Sequence, residues 1–131
     1  MFISRECDYA IRIMRELADG QRKTVSDICK KEHVPSPYGY KILKKLENAC
    51  LVSSRRGASG GYVIQRAPTE ITICDVLLAI DTEIFINACL EGGFVCPMNQ
   101  GDKHCGVHVE LCRIQNEILA LLREKSLAEI L

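Results

Sequence analysis

Eight cysteines in 131 residues are the chain's most reactive feature, and four of them form a group. Cys89, Cys96, Cys105 and Cys112 are separated by six, eight and six residues, and His108 falls between the last two. Thiolates are the usual ligands of iron–sulfur clusters, because soft sulfur suits iron and its negative charge offsets that of the metal. Three ligands from one loop, Cys89, Cys96 and Cys105, are geometrically undemanding. A zinc site would draw on the same Cys/His set, although the closely spaced cysteine pairs of many zinc sites are absent. A thiol–disulfide switch is the third chemistry open to these residues. Cys29, Cys50 and Cys74 stand at apolar or small positions of expected helices or their ends, where cysteine acts as a small buried hydrophobe. Cys7 is undecided, and His104 is expected to face solvent.

The second chemical feature is the run R-R-G-A-S-G-G at residues 55–61. Arg55 and Arg56 on a glycine-rich tip suit the minor groove of duplex DNA, where a narrow groove concentrates negative potential. Gly57, Gly60 and Gly61 would let the backbone turn there and approach phosphates. The net charge is zero, but its distribution is uneven. Residues 1–66 carry 13 Lys/Arg and 7 Asp/Glu, whereas residues 67–131 carry 4 and 10. A basic half beside an acidic half suggests that the first meets a polyanion. No C-x-x-C pair, nucleotide-binding glycine loop or strand-rich α/β pattern supports an enzyme.

These residues need elements to position them. Helical spacing of apolar residues marks 4–18, with Ser4 as a cap, and 24–33, with Thr24 as a cap and Asp27 in the first turn. A third helix is expected over 36–49, with Ser36 as N-cap and Pro37 at the first helical position. Ser36, Tyr38, Tyr40 and Lys41 occupy its N-terminal end, and Lys44 and Lys45 lie further along it. Gly39 inside that helix implies a close approach, either to DNA or to a neighbouring helix. Two β-prone pieces, 51–54 and 62–65, flank the basic tip and form a hairpin. Three helices and a basic hairpin are the order of a winged helix-turn-helix, mainly α, whose third helix enters the major groove. Its first N–H groups can also hold a phosphate.

Beyond Pro68 the pattern changes. Residues 71–81 read as a buried helix, and 84–104 lack periodicity, as functional loops often do. From Gly106 a long helix follows, in which Val107, Leu111, Ile114, Ile118 and Leu121 step in heptad fashion and suggest a partner helix. The chain thus divides into 1–68, the DNA-binding region, and 69–131, the buried helix, cysteine loop and dimerisation helix, within one compact domain. No apolar run approaches the ~20 residues that span a membrane. The charged N-terminus is unlike a signal peptide, so a cytoplasmic location is expected.

The segments TVSDICKKEHVPSPYGYKILKKLENACLVSSRRGASGGY and APTEITICDVLLAID resemble the Rrf2 family of bacterial transcription regulators, and the likeness extends over essentially the whole chain. The resemblance implies a homodimer on the C-terminal helix and a palindromic operator in double-stranded DNA. It also implies an iron–sulfur cluster, [2Fe–2S] or [4Fe–4S], on Cys89, Cys96 and Cys105, which match the family's trio in order but with wider gaps. The fourth ligand is open among His108, Cys112 and Asp8, with Cys7 behind them. The C-x-x-H of Cys105 to His108 is like that of IscR-like members, and Asp8 matches the aspartate of NsrR-like members. Other members carry no cluster, so a regulator using a thiol switch, a small molecule or a protein partner is the alternative.

Overall fold

The computed structural model describes residues 3–81, 83–102 and 104–131. Its elements are α1 (Arg5–Leu17), α2 (Val25–Glu32), α3 (Ser36–Asn48), β1 (Val52–Arg55), β2 (Gly61–Ile64), α4 (Ile73–Ile80), α5 (Gly106–Glu124) and α6 (Leu127–Ile130). Short 3-10 turns lie at Pro68–Glu70 and Ala88–Leu90. Helix starts are set by side chains. Ser4 and Thr24 accept from the amides of Cys7 and Asp27, and Thr72 with Asp75 forms a capping box before α4. Each bond satisfies an amide that the first helical turn leaves unpaired. The third helix differs from expectation. Pro35, at φ −60° and ψ 133°, takes the cap position, Ser36 is already helical, and no side chain caps the helix. The fixed φ of proline matches a cap, which displaces Ser36 into the first turn.

The core joins Ala10, Ile13, Met14 and Leu17 of α1 to Ile28 of α2, Ile42, Leu43 and Leu46 of α3, and Val76, Leu77 and Ile80 of α4. Burying each large side chain fully stabilises the fold by about 1.5–3 kcal/mol. The core therefore crosses residue 68, and α4 packs on α1 and α3. Glu16 is a buried carboxylate at the edge of this core, 2.8 Å from Lys23 and 2.7 Å from Lys31. Burial pushes its pKa up, but the two ammonium groups outweigh that and hold it below the ordinary value. Such pairing is what makes a buried charge tolerable.

The hairpin pairs β1 with β2 antiparallel, from Val52 opposite Ile64 to Arg55 opposite Gly61. Its second strand, near the tip, is fastened to the α1–α2 connection by two backbone bonds, Lys23 N–H to Tyr62 O at 2.9 Å and Tyr62 N–H to Lys23 O at 2.8 Å. The C-terminal helix does not run to the end as one piece. It breaks at Lys125, Ser126 and Glu129 form a new capping box, and α6 turns back onto the core. Leu127 is buried there, and its N–H donates to Ile71 O at 2.7 Å. No residue of α5 itself is buried.

Candidate nucleic-acid interface and cysteine loop

The helix-turn-helix is closed by a tight turn. His33 ends α2 in the left-handed conformation, φ 53°, and α3 begins three residues later. Helical geometry puts Gly39, Ile42, Leu43 and Leu46 inward and leaves Ser36, Tyr40, Lys41 and Lys44 on the outer face. Tyr40 is the most open of the aromatic side chains there, at 61% exposure. Tyr38 is less free, because its ring meets Tyr9 edge-on with centroids 5.6 Å apart. With no side-chain cap on α3, its first amides remain open, as anion-binding helix ends require. Lys41 is paired with Glu6 at 2.6 Å and Lys44 with Glu47 at 3.0 Å.

The wing lies beside this helix. A groove of about 510 Å³ separates them, lined by Tyr40, Lys44, Ser54, Arg55, Arg56 and Tyr62 among others. Glu47 accepts from the Ser54 amide at 3.1 Å and from the Ser54 hydroxyl, which ties the end of α3 to β1. Arg55 and Arg56 are exposed. The glycines are expected to let the backbone turn and approach phosphates, and for two of them the geometry also supplies an internal reason. A Cβ on Gly60 would lie 2.7 Å from the carbonyls of Arg55 and Gly57, and one on Gly61, at φ 128°, would lie 2.5 Å from that of Lys23. Gly39 is explained in the same way: its Cβ would lie 2.2 Å from Cys29 Sγ, so it admits α2.

All eight cysteines are free thiols. Cys29 and Cys74 are buried, as expected of packing residues. Cys50 is not a packing residue. It is exposed at φ 58°, a left-handed position after α3 where glycine is the usual occupant. Cys7 is buried and donates to Asp81 Oδ2 at 3.3 Å; burial, reinforced by that carboxylate, pushes its thiol pKa up. Asp8 pairs with Arg12 at 3.0 Å.

Cys89, Cys96, Cys105 and Cys112 are all half-buried. Cys89 sits in the 3-10 turn packed on α5, Cys96 in the irregular segment after it, and Cys105 at the N-cap of α5. The Cys105 amide donates to Asn99 Oδ1 at 3.3 Å, which folds the loop back on itself. His108 and Cys112 stand one helical turn apart, with Nε2 and Sγ 3.5 Å from each other. His108 Nδ1 is buried and has no hydrogen-bond partner among the described residues. His104 is exposed. No three Cys, His, Asp or Glu side chains among the described residues are grouped to hold a metal ion. The donor set nevertheless suits an iron–sulfur cluster by chemistry: four accessible thiols and one imidazole with an unsatisfied nitrogen. No helix among the described residues is long and apolar enough to cross a membrane.

The model of the Rrf2 family, described as iron-dependent transcriptional regulators, matches residues 3–131. A provisionally named HTH-type transcriptional regulator of Mycobacterium tuberculosis is 39% identical over 84 residues, which cover 62% of this chain and 52% of that protein. The chain thus spans about half the length of that relative. CymR, the global cysteine regulator of B. subtilis, superposes with a TM-score of 0.75 at 26% identity, covering 99% of this chain and 95% of that one. IscR of T. potens shares the fold, with a TM-score of 0.77 at 22% identity over 99% and 85% of the two chains.

Proposed function

Because the chain belongs to the Rrf2 family of transcriptional regulators, we propose that it is a homodimeric DNA-binding regulator, cytoplasmic and not an enzyme, whose cysteine loop holds an iron–sulfur cluster. The observation that carries the DNA-binding part is the pairing of an uncapped, outward-facing α3 with a wing that presents Arg55 and Arg56 across one groove. Major-groove contacts would come from Ser36, Tyr38, Tyr40 and Lys41, phosphate or base contacts from Lys44, and minor-groove contacts from the two arginines. Gly60 and Gly61 hold the wing in shape. A two-fold dimer on α5 would present two such units to a palindromic operator. Affinity for duplex DNA should fall steeply with salt, and Arg56→Ala should weaken it while reducing the slope of log affinity against log salt by about 0.9. Unchanged affinity and slope would remove the wing from binding.

Cys89, Cys96 and Cys105 would hold the cluster, with His108, Cys112 or Asp8 as the fourth ligand. When bound, it would supply reactivity toward oxidants, nitric oxide or iron shortage. The chain's own part is mechanical. Cys105 occupies the N-cap position of α5, and the Ile86 amide donates to Gln115 Oε1 at 3.0 Å, so the loop is joined to the helix at two places. A loop drawn together at its cysteines would therefore shift α5 relative to the core. Anaerobic reconstitution with iron and sulfide, followed by absorbance and iron analysis, tests this. Full uptake by the triple alanine variant of Cys89, Cys96 and Cys105 would refute the ligand set. The Cys112–His108 contact favours a second reading, a cluster-free thiol switch. Under that reading no iron is retained, and mild oxidation alone changes DNA affinity.

A further inference from the structure

Two lysines of α3 share one carboxylate. Lys41 Nζ lies 2.6 Å from Glu6 Oε1, and Lys45 Nζ lies 3.0 Å from Glu6 Oε2. Lys45 also donates to the Ile80 carbonyl at 3.1 Å, so it is held between α1 and the end of α4 and is only one-third exposed. Lys41 projects further, with 57% of its side chain exposed. It lies with Lys44 near the middle of the outer face of α3, opposite the buried row. Lys44 has a matching partner in Glu47, but that carboxylate also fastens Ser54 of the wing. The polar partners of Glu6 among the described residues are Lys41 and Lys45, and none is on the wing. Glu6 stands in the first turn of α1, where a helix N-terminus favours negative charge, and its two lysines hold its carboxyl below the ordinary range.

We infer that Glu6 limits sequence-independent DNA binding by holding Lys41 away from the phosphate backbone. This rests on the DNA-binding reading given above. Non-specific affinity comes almost entirely from lysine and arginine contacts that release counterions from DNA. A fixed carboxylate competes with phosphate for the Lys41 ammonium and itself repels phosphates. It therefore withdraws about one such contact from the recognition helix. Base-edge contacts from Ser36 and Tyr40 are left in place. The regulator then spends less time on the vast excess of non-specific sites that a genome offers.

The test measures binding to a random-sequence duplex over a range of salt concentrations. Glu6→Gln keeps the size of the side chain and removes its charge. The slope of log affinity against log salt should steepen by about 0.9, with binding about 8-fold tighter near 0.1 M salt and the gain vanishing toward about 1 M. In a chain already carrying Lys41→Gln, Glu6→Gln should add less than half of that change. An unchanged slope in the single variant, or the full gain without Lys41, overturns the inference. Lys41→Gln alone gives a check that does not depend on how Glu6→Gln folds. It should reduce the slope by well under 0.9, because Glu6 already occupies this lysine; a full reduction of about 0.9 would show Lys41 on phosphate and also overturn the inference. Wild-type protein that binds no duplex at any salt would instead remove the DNA-binding reading itself.

Discussion

At the scale of single residues, several choices are answers to one neighbour. Gly39 and Cys29 are such a pair: the sulfur occupies the space that a Cβ at position 39 would need, at 2.2 Å. Gly39→Ala should therefore destabilise the fold by about 1–3 kcal/mol through overpacking, although alanine is the better helix former by about 1 kcal/mol. Adding Cys29→Ala should recover most of the loss, because a methyl group is smaller than the thiol. Urea midpoints of the two single variants and the double variant would show this coupling. A Gly39→Ala chain as stable as the wild type would mean that this contact does not set the α2–α3 spacing. Cys50 is the opposite case, a residue held in a left-handed position by the chain around it.

Among elements, the least obvious relation is between the two ends of the C-terminal half. α5 begins just after Cys105, in the cysteine loop, and ends where α6 docks on the segment before α4. Thr72 and Ser126 form a β-bridge there, and Leu127 enters the core with 1% exposure. The helix is thus held at both ends while its flank stays open. Leu127→Ala should cost about 2–5 kcal/mol of global stability, despite lying four residues from the end of the chain. Thermal unfolding followed by circular dichroism would measure it. If only the last turn frayed and the main transition stayed in place, α6 would be an appendage rather than part of the core.

At the scale of the whole molecule, the flank of α5 is an open apolar surface. Val107 and Leu121 are each 67% exposed, and Ile114 and Ile118 between them are half-buried. These four lie on one stripe, seven, four and three residues apart, beside the face that meets the chain's own loop and core. Leu111 lies on the same stripe and is half-buried like Ile114 and Ile118. The proposed dimer would bury the stripe. Ile114→Glu should give a folded monomer in sedimentation velocity and weaken binding to a two-fold operator, since each half-site would then be bound alone. A variant that sedimented like the wild type would place the seam elsewhere. The charge asymmetry belongs to this scale too: the basic half carries the wing and α3, and the acidic half carries α5 and the loop.

Local chemistry was enough to specify much of this protein. Apolar spacing, Ser4 and Thr24 as caps, and glycines about a basic tip determine the helices and the wing, because each depends on residues a few positions apart. The proposed cysteine ligands likewise rest on residue type and order alone. Tertiary structure alone decided what distant segments do to each other. It paired Lys41 with Glu6, 35 residues away, set Gly39 against Cys29, pinned the wing's second strand to Lys23, and folded the chain's end back onto Ile71. None of these has a local pattern, because a close contact between segments far apart in the chain exists only once the core has brought them together.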